Sequence, residues 1–236
     1  MERIPLNQRI IFALDFADPR EALAWVDRID DQVQFFKVGL QLFLAGGWPV
    51  IDHIVGRGNQ VMLDLKLYDI PATVQLAVAQ FGGRGITFAT VHGYGPVVEA
   101  ALAADSGVQI LAVTVLTSMG SDELTELNYR GTVEQLVMER ARRVLSLGCD
   151  GIVCSAREAA GLRRELGPEF SMITPGIRPS DAAANDQQRI AAPGRAILDG
   201  ADHLVIGRPI RDAENPMETI AAIQEEISTA LTQNAS

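Results

Sequence analysis

Short apolar runs rich in β-branched residues recur along the chain, and each is followed by a segment whose apolar positions return at helical spacing. The strand candidates are Arg9–Phe16, Gln34–Leu40, Gln60–Tyr68 and Ile86–His92, then Gln109–Thr117, Gly151–Ser155, Ser171–Pro175 and His203–Arg208. Helical periodicity lies near Pro19–Ile29, Phe43–Gly56, Ala72–Phe81, Pro96–Ala104, Val133–Leu147, Ala156–Leu166, Arg189–Leu198 and Pro216–Leu231. Eight strand–helix alternations, with no linker or low-complexity stretch between them, predict a (β/α)8 TIM barrel as a single domain over residues 1–236. A doubly wound open sheet alternates in the same way. It usually has fewer strands, and it has no reason to place charge at the end of nearly every strand.

In a barrel the C-terminal ends of the strands converge on one face, where active sites sit. Those ends read Asp15, Lys37, Asp64 with Lys66, His92, Thr117, Pro175-Gly176-Ile177-Arg178 and Gly207-Arg208. One polar strand end is ordinary solvent exposure, but this many functional ends on one rim are not.

Composition narrows the class. With 47% apolar and 21% charged residues the chain is an ordinary globular protein. A net charge of −10 argues against a nucleic-acid partner, which needs a basic face, so an anionic ligand requires a local cluster of Lys and Arg. Met1–Asn7 lacks a signal-like apolar core, and no window approaches a membrane span, so a cytoplasmic location is expected. Cys149 and Cys154, around the strand candidate Gly151–Ser155, read as core thiols rather than a disulfide or zinc site.

The loops after strands 7 and 8 of such barrels often hold phosphate. Here Gly207 permits close backbone approach and Arg208 can make a two-pronged phosphate contact. The loop after strand 7 carries Pro175, Arg178 and, further on, Gln187, which could reach a phosphate or a base edge. No dinucleotide fingerprint or Walker-type loop accompanies them. Gly82, Gly83, Gly85, Gly93 and Gly95 are turn residues, and the phosphate is expected to belong to the substrate.

The run Asp64-Leu65-Lys66-Leu67-Tyr68-Asp69-Ile70-Pro71 emerges from an apolar strand and ends at a strand-breaking proline. Alternation places Asp64 and Lys66 on one face, roughly 6–7 Å apart at Cα. A structural ion pair is the bland explanation for any D-x-K. With Asp15 and Lys37 on the neighbouring strands, however, carboxylates and ammoniums alternate, and each keeps its neighbour ionised. Such a centre suits stabilising and then protonating a carbanion, with Lys66 as the acid. It does not suit a glycosidase, which needs one protonated carboxyl, or a Schiff-base lysine, which needs a depressed pKa. His92 is read as a structural hydrogen-bonder, and His53 and His203 are given no role.

The string D-x-K-x-x-D-I-P resembles the signature of the orotidine 5′-phosphate decarboxylase family, bacterial type. Ala13-Leu14-Asp15, Phe36–Gly39, Val113–Ser118, Thr174–Pro179 and Val205–Pro209 extend the resemblance in order over nearly the whole chain. It implies a barrel that converts orotidine 5′-phosphate to uridine 5′-phosphate and CO2 with no metal and no organic cofactor. It also implies a homodimer with active sites at the interface. On this likeness Lys66, Asp64 and Asp69 are catalytic, and the run Leu65, Leu67, Tyr68, Ile70, Pro71, Ala72 and Thr73 contacts substrate. Asp69 and Thr73 reach into the neighbouring subunit's site. Asp15 and Lys37 take the ribose hydroxyls, Thr117 or Ser118 the pyrimidine edge, and Pro175, Arg178, Gln187, Gly207 and Arg208 the pyrimidine–phosphate side. Segments 119–131 and 179–188 are the candidate lids.

Two rivals remain. A Mg²⁺-dependent sugar-phosphate decarboxylase or synthase on the same barrel shares the D-x-K-x-x-D run, but its relatives place an acid where this chain has Lys37, which would repel the metal. A phosphometabolite-binding barrel without turnover would have no need of Asp64, Lys66 and Asp69 together.

Overall fold

The computed structural model describes residues 4–117, 119–126, 128–178 and 191–234. Among them eight parallel strands close into a barrel in sequence order, which excludes the open sheet. They are β1 (Ile10–Ala13), β2 (Phe35–Gly39), β3 (Gln60–Leu67), β4 (Phe88–His92), β5 (Gln109–Val113), β6 (Gly151–Val153), β7 (Ser171–Pro175) and β8 (His203–Ile206). The ring closes where Ile11 of β1 pairs with Val205 of β8.

Strand alternation sorts the apolar residues into two bodies. One set, including Ile11, Phe35, Met62, Phe88, Leu111 and Ile173, fills the barrel interior. The other, including Phe12, Phe36, Val61, Val91 and Ile152, packs outward against the helices. Each large side chain withdrawn from water in this way contributes about 1.5–3 kcal/mol. At the N-terminal mouth Phe35 and Phe88 stack at 5.3 Å, and His203 stands edge-on to both rings. His203 Nδ1 lies 2.8 Å from the Gln8 carbonyl and so donates to it. The residue left without a role by the sequence therefore plugs the bottom of the barrel.

The helices start where local chemistry allows. Thr132 and Ser155 each form a reciprocal capping box, with Gln135 and Glu158, at the starts of Val133–Ser146 and Ala156–Leu166. The helical segment Leu40–Gly56 is two helices across a kink at Gly47, whose φ of 56° suits glycine, and Pro49 follows in the second.

Several strands end earlier than their sequence patterns predict, and each has a visible reason. β1 stops at Ala13, because the Asp15 amide turns back onto the Ala13 carbonyl at 2.9 Å. β5 stops at Val113 rather than Thr117. Thr114 gives both its amide and its hydroxyl to the Val153 carbonyl, while Arg140 takes the Thr114 carbonyl at 2.7 Å. β8 stops at Ile206, and Arg208 opens the short helix Arg208–Arg211. Short helices also form at Leu6–Arg9 and at Ser121–Glu126, the latter inside the first candidate lid. The second candidate lid, 179–188, lies outside the described residues, as do Ser118 and Gln187.

Candidate active site

Four charges line up across the C-terminal ends of β1, β2 and β3. Asp15 Oδ1 lies 2.9 Å from Lys37 Nζ, Lys37 Nζ lies 3.6 Å from Asp64 Oδ2, and Asp64 Oδ2 lies 2.8 Å from Lys66 Nζ. The signs alternate and sum to zero. Lys37 and Asp64 are buried, whereas the outer members, Asp15 and Lys66, keep about half and a third of their side chains in solvent. Burial by itself would push the Asp64 carboxyl up. The Lys37 and Lys66 ammoniums, with hydrogen bonds from Lys66 and Thr90, outweigh it and hold the group below the usual carboxylate range. At neutral pH the inner carboxylate is ionised, and it faces two cations.

Asp64 and Lys66 share a face as alternation expects, but they meet within an irregular stretch of β3. Between Leu63↔Ala89 and Leu67↔Val91, β3 advances four residues while β4 advances two. The surplus is a bulge, and within it Lys66 adopts φ 49°, a left-handed backbone that costs a non-glycine residue roughly 1–3 kcal/mol. Its amide, out of the ladder, donates instead to Thr90 Oγ1 at 3.0 Å. The same hydroxyl donates to Asp64 Oδ1 at 2.9 Å. Thr90 escaped the sequence analysis because a β-branched residue within Phe88–His92 reads as an ordinary strand former. Its position two residues from both Phe88 and His92 was the available signal, since it puts all three on the inner face.

Gly39 lies close against this line of charges. A Cβ built there would sit 3.1 Å from Lys37 Nζ and 3.6 Å from Asp15 Oδ1. Beside the charges a cavity of about 440 Å³ is lined by Asp15, Lys37, Leu40, Asp64, Leu65, Lys66 and His92. The His92 imidazole is held below its ordinary value by burial first, then by the charges of Arg140 and Lys66. It is therefore neutral at physiological pH, and its ring meets Tyr68 edge-on at 5.3 Å.

A second cavity of about 170 Å³ shares Asp15 and Lys37 and extends to Pro175, Arg178, Gly207 and Arg208. Gly176, at φ 81°, makes the turn that brings Arg178 to the cavity, and the Arg178 amide ties the loop to the Ala191 carbonyl at 3.0 Å. Two arginines from the loops after β7 and β8 therefore stand at one end of the site, with the alternating charges at the other.

The remaining expected residues are placed elsewhere. Asp69, Ile70, Pro71, Ala72 and Thr73 are exposed, at and before the start of helix Pro71–Ala79, and line neither cavity. Asp69 Oδ1 accepts the adjacent Ile70 amide at 2.6 Å. Leu67 packs against the helix-facing core, Tyr68 stands out into solvent, and Thr117 is half-buried beyond the end of β5. Among the described residues no cluster of three His, Cys, Asp or Glu side chains could hold a metal ion. No helix among them is long and apolar enough to cross a membrane.

Residues 8–223 match the model of the orotidine 5′-phosphate decarboxylase / HUMPS family. An orotidine 5′-phosphate decarboxylase of Rhodopseudomonas palustris (strain BisB5) is 48% identical over 226 residues, covering 95% of this chain and 96% of the relative. That of Xanthomonas euvesicatoria is 43% identical over 241 residues, covering 99% of each. A crystal structure of orotidine 5′-phosphate decarboxylase from Lactobacillus acidophilus superposes with a TM-score of 0.81 at 34% identity, covering 93% of this chain and 98% of that one.

Proposed function

The chain belongs to the orotidine 5′-phosphate decarboxylase / HUMPS family, and from that premise we infer how its site works. The reaction is decarboxylation of orotidine 5′-phosphate to uridine 5′-phosphate, a step of pyrimidine biosynthesis. One observation carries the mechanism: the zero-sum line Asp15–Lys37–Asp64–Lys66, with an ammonium at its open end.

The C6–carboxylate bond breaks, CO2 departs, and the electron pair stays on C6. The pyrimidine ring delocalises that pair poorly, so stabilisation has to come from a charge already in place. Lys66 Nζ supplies it, then gives one proton to C6 to form uridine 5′-phosphate, and is reprotonated from solvent. Asp64 holds the ammonium in position and lies toward the departing carboxylate. Asp15 and Lys37 bind the ribose hydroxyls, and Arg178, Gly207 and Arg208 take the phosphate end. Thr117 or Ser118 reads the pyrimidine edge, with Gln187 and Pro175 on the phosphate side. Binding the remote phosphate closes the loops over the ring and so converts affinity into organisation of the reacting groups.

No metal is required. Lys37 Nζ stands between Asp15 and Asp64, where it occupies the position from which two carboxylates would otherwise attract a divalent cation. This separates the reading from the Mg²⁺-dependent sugar-phosphate enzymes of similar fold.

The working unit is a homodimer in the cytoplasm, one barrel per copy. Leu40, Leu44, Tyr68, Ile70, Leu76 and Tyr94 are all more than half exposed on the segments following β2, β3 and β4. An apolar rim of that kind supports association with a second copy. Asp69 and Thr73 stand on the same rim, outside their own cavity, and reach the site of the other copy.

Mixing orotidine 5′-phosphate with purified protein in EDTA tests the reaction. Its absorbance should fall as uridine 5′-phosphate appears in equal amount. No turnover would refute the assignment, and turnover restored only by Mg²⁺ would favour the sugar-phosphate alternative.

A further inference from the structure

We propose that Thr90 is a positioning residue for the decarboxylation, acting through its hydroxyl to hold Lys66 and Asp64 in their reacting arrangement. The inference rests on the proposed role of Lys66 in that reaction.

Thr90 sits at the centre of β4 on the inner face, almost wholly buried, two residues beyond the interior Phe88. A threonine hydroxyl has one hydrogen to give and two lone pairs to receive. Here the hydrogen goes to Asp64 Oδ1, and one lone pair takes the Lys66 amide. A single oxygen therefore bridges β4 to both charged residues of the Asp64-Leu65-Lys66 bulge. Each link has a separate purpose. The bond to Asp64 Oδ1 orients the carboxylate so that its other oxygen, Oδ2, faces Lys66 Nζ and Lys37 Nζ. The bond from the Lys66 amide takes up the donor that the bulge removes from the β3–β4 ladder. Without it, the left-handed lysine backbone at φ 49° would lose the acceptor that holds its amide, and the ammonium would lose its fixed placement against the carboxylate.

A hydroxyl in this place differs from a packing group in a testable way. Thr90→Val keeps the branched shape and removes the oxygen. Thr90→Ser keeps the oxygen and removes the methyl. Thr90→Ala removes both, so the Ser/Ala pair isolates the hydroxyl again should the valine variant fold poorly. With orotidine 5′-phosphate as substrate, Thr90→Val should lower kcat by roughly 10- to 100-fold, the range a hydrogen bond to a charged group supplies, with KM changed by less than about threefold. Thr90→Ser should stay within about threefold of wild type in kcat, and Thr90→Ala should fall with Thr90→Val. Loss of a hydrogen bond that favours ionised Asp64 should also move the acid limb of the kcat/KM profile to higher pH in the valine and alanine variants, but not in the serine variant. Serine falling as far as alanine, or valine matching wild type, would make Thr90 a packing residue and overturn the proposal. Absence of turnover by the wild-type protein would instead sink the reading of the reaction, and this inference with it.

Discussion

Replacing Asp64 by Asn removes one charge and almost no volume, so its effect on stability measures whether the line of charges is a relaxed arrangement or a strained one. The carboxylate lies 2.8 Å from Lys66 Nζ and 3.6 Å from Lys37 Nζ. At an effective dielectric of ~20 these distances correspond to gross attractions of about 6 and 5 kcal/mol. Most of that is offset by the cost of taking a carboxylate out of water, since its side chain is only 10% exposed. Removing one partner of a buried pair costs about 3–5 kcal/mol in other proteins. Lys66 is partly solvated, which discounts its share, so about 2–4 kcal/mol is expected here. Of the two amide orientations, one turns its NH2 toward an ammonium, and the other turns it toward Thr90 Oγ1, whose second lone pair can accept it, so the loss is mainly that of the charge.

This stabilisation depends on pH. Asp64 titrates lower in the folded chain than its unfolded value near ~3.9, so the unfolded state binds more protons between the two values. The wild-type advantage should be full above about pH 5, and should fade as pH falls through the lowered value. Urea unfolding of both proteins at pH 7 and near pH 3 measures it. An Asp64→Asn protein as stable as wild type at pH 7, or more so, would refute the argument. The site would then be one that stores repulsion rather than one that neutralises it.

Other consequences are more direct. Arg208→Ala should lower kcat/KM for orotidine 5′-phosphate by roughly 3–5 kcal/mol in transition-state binding, while turnover of a substrate lacking phosphate stays nearly unchanged; equal losses on both would make Arg208 structural. Mixing inactive Lys66→Ala and Asp69→Ala proteins should restore up to about half of wild-type activity per heterodimer, because one of the two shared sites then carries neither lesion. No recovery despite proven subunit exchange would place Asp69 in its own copy's site. Burial pushes the Cys149 thiol up to about 11 and that of Cys154 higher still, so a thiol reagent at pH 8 should label neither until the protein is denatured. Rapid labelling of the native protein would contradict their burial.

The barrel was legible because its signal is repetitive: each apolar run had a helical run behind it, and charge collected at one end of the strands. The limits of that signal are equally physical. Val113–Thr117 still reads as strand, and only the Thr114 amide and hydroxyl, both spent on the carbonyl of Val153, explain why the ladder stops at Val113. Leu65-Lys66-Leu67 also alternates cleanly, so nothing in it announces a left-handed lysine. The charged members of the site were readable because charge on an inward strand position is rare. Thr90 was not, because a buried threonine in a strand is common and its importance lies in what crosses from β3. Asp69 and Thr73 mark another limit, since one chain does not contain the surface they would face.

The apolar filling of the barrel has a consequence for the charges above it. Ile11, Phe35, Met62, Phe88, Leu111 and Ile173 form a low-dielectric floor, which His203 closes at the far mouth against the stacked rings of Phe35 and Phe88. Field lines from Lys37, Asp64 and Lys66 meet few dipoles able to reorient below and emerge mainly through the mouth. The fold thus works as a dielectric lens. Its charges are solvated from one side only, and whatever enters that side displaces the water that was screening them. A ligand that fills the mouth therefore meets a stronger field than the empty site presents, and the ring of hydrocarbon beneath strengthens it without touching the substrate.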